Sequence, residues 1–179
     1  MAHGLTIAVM ISATDAVSGG HLNPAVTAGL FVARKIDFTN TVGYILAQCA
    51  GAIAAASLIK LCIPSAALAA VSMGTPALGA GVSIGMGLLT EIILTFFLVF
   101  VVYGTAVDKR APKVGGLFIG LTVALDILIG GPITGAAMNP ARHLGPALLG
   151  GGLQNLWLYW VGPIIGGVLA GACYKRYLE

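Results

Sequence analysis

The tripeptide Asn-Pro-Ala occurs twice in this chain, as Asn23-Pro24-Ala25 and as Asn139-Pro140-Ala141. Each copy reads as a helix start. Asn is among the best N-cap residues, because its side-chain oxygen accepts one of the orphan N–H groups at a helix N-terminus. Pro suits the first helical position, where its missing N–H costs nothing. The helices that follow are expected to be short, running from Ala25 to about Ala33 and from Ala141 to about Leu149. At ~1.5 Å rise per residue, each would cross about half of a ~30 Å hydrocarbon core. The lead-ins match as well: Ser18-Gly19-Gly20-His21-Leu22 and Thr134-Gly135-Ala136-Ala137-Met138 both run hydroxyl, Gly, small, variable, apolar. One such tripeptide arises by chance; two with the same lead-in are an internal repeat.

Half-length helices need a medium that explains them, and composition supplies it. The chain is 58% hydrophobic and 8% charged, where soluble domains average about 25% charged residues. It has too few charges to cover a water-facing surface, so it is read as an integral, multi-pass membrane protein. Long apolar runs with strong turn punctuation favour an all-α membrane fold over the weak alternation of a membrane barrel. The 26 glycines fit closely packed membrane helices. A net charge of +3 without a basic run gives no sign of a nucleic-acid partner. Cys49, Cys62 and Cys173 are odd in number and lack zinc-type spacing, so no disulfide framework or metal site is expected, and no cofactor.

Taken in order, spans are expected at Met1–Val17, Thr41–Ile63, Val82–Val107, Val114–Gly131 and about Leu156–Tyr174, making five full spans around two half-spans. Residues 64–81, rich in Ala, Ser, Gly and Pro, read as a connection, and Pro132–Met138 as a loop. Arg34, Lys35, Lys109, Arg110, Lys113, Lys175 and Arg176 all fall on one side of this threading, with Lys60 alone opposite. The positive-inside tendency makes that side cytoplasmic. The first half-helix then enters from the cytoplasm and the second from outside. Residues 1–63 and 82–179 form an inverted repeat within one channel domain. Tyr44, Gln48, Gly51 and Lys60 recur at the spacing of Tyr159, Pro163, Gly166 and Lys175. The second half has one more span in front, which carries Glu91. Symmetry suggests a counterpart before Met1, and hence a truncated sequence or a late start.

Broken helices in an inverted repeat place a site near the bilayer midplane. Each half-helix N-terminus carries roughly half a positive elementary charge, and two that meet there repel cations while a neutral molecule passes. The amides of Asn23 and Asn139 can donate to a passing oxygen. Non-helical approach loops are tolerated at this depth when they face water. Nothing in the pattern supplies a nucleophile with its base, so no enzyme is expected. Arg142 is threaded into the membrane, where charged residues are expensive and usually functional. Glu91 is expected to accept loop N–H groups and so steady a half-helix. His21 and His143 are expected to bond within loops, and Asp15 and Asp126 have no assigned role.

These features together resemble the aquaporin (major intrinsic protein) family over essentially the whole chain, from the family's second span onward. The resemblance implies that Asn23, Pro24, Ala25, Asn139, Pro140 and Ala141 line the pore. It implies an outer filter of His3, Ile127, Ala136 and Arg142, similar to that of plant tonoplast-intrinsic aquaporins. Strict water channels instead place an aromatic in the second span and His in the fifth. Ile127 for His removes a hydrogen-bonding group, so ammonia, urea or hydrogen peroxide are expected solutes beside water. His143, where glycerol facilitators usually have Asp, and the aromatic pair Tyr159-Trp160 speak for water. The resemblance also implies a homotetramer, in the cell membrane or an internal one. No cysteine lies in this filter, so thiol reagents should not block it directly. Two other readings stand beside the channel: an ion-coupled secondary transporter, which would need acids at the half-helix junction, and a truncated, non-conducting homologue with part of its pore wall open to lipid.

Overall fold

The computed structural model describes residues 1–111 and 114–178, so Pro112 and Lys113 of the expected polar turn lie outside the described residues. Every regular element among the described residues is helical. The long helices are α1 (Ala2–Ser18), α3 (Phe38–Cys62), α5 (Ile84–Val102, extended by a wider π turn over Tyr103–Val107), α6 (Gly115–Thr134) and α8 (Leu158–Tyr177). The short ones are α2 (Pro24–Val32), α4 (Ser65–Ala70) and α7 (Pro140–Gly150). Of the described residues, α3, α5 with its π turn, and α6 are the stretches both long and apolar enough to cross a membrane by length and composition.

Three boundaries differ from expectation. Helix α3 starts at Phe38, because Asp37 caps it by accepting from the Asn40 N–H at 2.8 Å. Residues 64–81 are not plain connection: they hold α4 and a 3₁₀ turn over Ser72–Gly74. Helix α6 runs through Pro132 to Thr134. Pro that close to a C-terminus costs a single carbonyl its partner, and the true stop is Gly135, in the left-handed conformation at φ 77°.

The packing is organised by glycine. Gly4, Gly116 and Gly120 bring α1 against α6, where a Cβ at Gly116 would stand 2.9 Å from the Ala8 carbonyl. Gly29, Gly167 and Gly171 do the same for α2 and α8, and Gly162 and Gly166 for α8 and α5. Such close approach is how membrane helices gain van der Waals contact where lipid offers no hydrophobic drive. Helix α5 buries Glu91, Leu94, Thr95, Leu98 and Val99 between α6 and α8. Helix α3 is its opposite, with Thr41 and Ala56 its buried residues. Because α1 leans on α6 while α3 leans on α7 and α2, a groove runs between α1 and α3. Lys60 donates to the Leu149 carbonyl at 3.0 Å, meeting the negative C-terminal end of α7.

Candidate functional site

The two short helices are about 14 Å and 17 Å long at ~1.5 Å per residue, and they meet start to start. Each Asn does two things at once. Asn23 Oδ1 accepts from the Ala25 N–H at 2.8 Å, and Asn139 Oδ1 from the Arg142 N–H at 3.2 Å, capping their own helices. Asn23 Nδ2 donates to the Met138 carbonyl and Asn139 Nδ2 to the Leu22 carbonyl, both at 2.9 Å. Each half is thus stitched to the loop of the other. A primary amide has two N–H groups, so each Asn retains a second donor.

The loops repeat in backbone as in sequence. Gly19 and Gly135 have φ of 73° and 77°, Gly20 and Ala136 55° and 45°, and Leu22 and Met138 48° and 51°. For a non-Gly residue this region costs of order 1–3 kcal/mol and persists only where surroundings impose it. Here the imposed conformation turns the Leu22 and Met138 carbonyls toward the opposite Asn. In the second loop Glu91, fully buried, supplies the constraint. Its Oε1 accepts from the Thr134 hydroxyl at 2.6 Å and the Ala137 N–H at 2.9 Å, and its Oε2 from the Met138 N–H at 2.7 Å. Tyr159 donates its hydroxyl to the Thr134 carbonyl, as Tyr44 does to that of Ser18. The first loop is braced by Thr27: its hydroxyl bonds the Asn23 carbonyl, accepts from Gln48 Nε2 at 3.0 Å and faces His21 Nδ1 at 3.2 Å.

A cavity of about 310 Å³ runs along this junction. His3 and Ile7 of α1 are on its wall, with Asn23, Met138 and Asn139 at the junction and Asp15 and Lys35 also among its lining. His3 and Arg142 share the α1–α3 groove. Arg142 Nη1 donates to the Gly74 carbonyl at 2.9 Å. Ala136 is fully buried in the core cluster against which Ile127 packs. His3 and Arg142 therefore share one groove, whereas Ala136 belongs to the core cluster and Ile127 packs against that cluster. Asp15 is exposed, whereas Asp126 is 6% exposed with Oδ2 unpartnered among the described residues. His21 bonds Thr27, but neither His143 nitrogen has a well-formed hydrogen bond. Sequence reasoning missed Gly74, Thr27 and Gln48 as supports. The matched spacing of Gln48 with Pro163 was a signal that a polar side chain there had a particular task.

Two capped half-helices meeting inside a wrap of long apolar helices define a multi-pass membrane protein of the broken-helix kind. The model of the family described as "Major intrinsic protein" matches residues 1–174. The chain is 49% identical over 179 residues to aquaporin TIP4-4 of Zea mays, covering 97% of this chain and 68% of that protein. It is 45% identical over 174 residues to aquaporin-4 of Rattus norvegicus, with 96% of this chain and 53% of that one covered. Among solved structures it resembles the X-ray structure of the aquaglyceroporin from Plasmodium falciparum, at a TM-score of 0.82 and 26% identity, covering 98% of this chain and 79% of that one. The chain belongs to the major intrinsic protein family, whose members are channels and not enzymes. It spans about two thirds of the length of the maize relative and about half that of the rat one.

Proposed function

We propose that this chain forms a passive transmembrane channel for water, open also to ammonia, urea or hydrogen peroxide and closed to protons and ions. The observation that carries the proposal is the junction itself. Two helix N-termini face each other beside the cavity, each bearing an Asn whose amide keeps one free N–H. Positive dipole ends disfavour cations, and the free donors orient a neutral oxygen. His3, Ile127, Ala136 and Arg142 serve as the outer filter, and Asn23, Pro24, Ala25, Asn139, Pro140 and Ala141 as the midplane constriction. The assembly is a homotetramer with one pore per subunit.

The test is stopped-flow osmotic shrinkage of proteoliposomes, with matched gradients of an impermeant osmolyte, glycerol, urea and ammonium and a pH dye inside. Water flux well above that of empty vesicles, without proton entry, is expected, and Arg142→Ala should relax solute discrimination. Proton entry, or flux that follows a sodium or pH gradient, would instead support an ion-coupled transporter. A second reading rests on the groove between α1 and α3, which opens the wall beside His3 and Arg142. In that reading the chain does not conduct by itself, and shrinkage would match empty vesicles.

A further inference from the structure

Among the described residues, His143 is the one whose side chain has two buried polar atoms without a hydrogen-bond partner. It is fully buried, yet both ring nitrogens lack a well-formed hydrogen bond. The internal repeat says why. His143 follows Asn139 by four residues, as Thr27 follows Asn23. Thr27 is satisfied by Gln48 and His21, but the matching positions in the second half are Pro163 and Ala137, whose side chains cannot bond. The imidazole instead stacks on Tyr159, with ring centroids 4.1 Å apart and planes at 16°. The backbone carbonyl of Pro76 lies near the imidazole, short of well-formed hydrogen-bond geometry.

That loop holds the filter arginine. Gly74, two residues before Pro76, accepts from Arg142. Between them Thr75 has a buried hydroxyl without a partner. Pro76 packs on Gly135, where a Cβ would meet it at 2.8 Å, and Gly79 N–H donates to the Ile133 carbonyl at 2.8 Å. We infer that His143 is a positioning residue: a neutral imidazole, clamped on Tyr159, bonds the Pro76 main chain and fixes the 74–76 segment whose carbonyl sets the Arg142 guanidinium. The inference deepens the channel reading and rests on it for its transport arm. Protonation would bury a second cation beside Arg142. The other ionisable groups facing this spot are Tyr159 on α8, Glu91 on α5, which lies within electrostatic reach of both Arg142 and Tyr159, and His3 on α1, which lies within reach of Arg142 and is retained in every variant tested. On α3, Lys60 reaches only the far end of α7, and residues 72–76 carry no ionisable side chain. An imidazolium can still donate to the Pro76 carbonyl, so it is repulsion between the two cations that should displace the guanidinium in acid and loosen the loop that holds it.

Two measurements on the full chain test this. In detergent, amide hydrogen exchange over residues 72–79 is compared for the wild type, His143→Phe, which keeps the stack, and His143→Gln, which keeps hydrogen bonding but cannot charge. Faster exchange in the Phe variant at all pH, in the wild type only at acid pH, and in the Gln variant at neither, is expected. In proteoliposomes the urea-to-water permeability ratio should rise about fivefold in the same pattern, the factor by which one net hydrogen bond moves an equilibrium. Unchanged exchange in the Phe variant, or acid sensitivity in Gln equal to that of the wild type, overturns the inference. A wild type that passes no water overturns the channel reading instead, and the exchange pattern still decides the role of His143. Should the Phe variant fail to fold, the Gln and wild-type pH profiles decide it.

Discussion

Replacing Glu91 with Gln changes one atom of the side chain, and the structure dictates which bond it breaks. The carboxylate receives three donors and offers none: Thr134 and Ala137 on one oxygen, Met138 on the other. A carboxamide can keep the two donors on its single oxygen, but its NH₂ then faces the Met138 N–H. One hydrogen bond to a charged group, worth about 1.5–3 kcal/mol, is lost, and a buried N–H is left unsatisfied. Together these put the cost near 3 kcal/mol. For a chain of this size about 1 kcal/mol moves Tm by about 2–4 °C, so thermal unfolding in detergent, followed by circular dichroism, should fall by about 6–12 °C. Glu91→Leu orphans all three donors and should cost more, whereas Thr134→Val removes one donor from the carboxylate and also orphans the buried Ala136 N–H, from which the hydroxyl accepts at 3.1 Å, so its cost should be similar to that of the Gln variant. Because Met138 supplies the carbonyl that receives Asn23, the Gln variant should also raise exchange of the Ala136–Met138 amides. An unchanged Tm with unchanged exchange there would refute the claim that Glu91 holds the second loop.

Two further predictions follow from other parts of the fold. At Gly29 a Cβ would stand 2.6 Å from the Gly167 carbonyl, a backbone atom that cannot swing aside, so Gly29→Ala should destabilise by about 1–3 kcal/mol. Gly51 has open space around it, so Gly51→Ala should be neutral or gain up to about 1 kcal/mol of helix propensity; a thermal shift assay on both variants separates the cases. Just beyond the π turn that ends α5, the Arg110 side chain and then the Tyr174 hydroxyl hold the Asp108 carboxyl well below the usual carboxylate range. A depressed folded pKa stabilises above the unfolded value of about 4 and is lost as pH falls through the folded one. The Tm advantage of the wild type over Asp108→Asn should therefore be constant from neutral pH down to about 5 and shrink only in stronger acid. A gap that closes between pH 8 and 6 would contradict this.

Much of the architecture follows from local rules that a sequence displays openly. Asn-Pro at two positions specifies where α2 and α7 begin, since capping and a fixed φ act within a few residues. Long apolar runs give the spans, because transfer into lipid depends on composition summed along a helix, and the one-sided placement of Arg34, Lys35, Lys109, Arg110, Lys175 and Arg176 gives an expectation of their orientation. What the chain alone could not state was decided by contacts between residues far apart in it. Leu22 and Met138 adopt positive φ without any glycine to announce it, because carbonyl-to-amide bonds spanning more than a hundred residues impose that shape. The run of Ala and Ser at 64–81 gave no sign that Gly74 would receive Arg142. Nor could periodicity tell that Glu91 and Asp126, both acids on apolar helices, differ so much: one meets three donors while the other has an oxygen with none. Helix starts and membrane spans are properties of neighbours in sequence. Satisfaction of a buried polar atom is a property of neighbours in space, and only the folded chain assigns those.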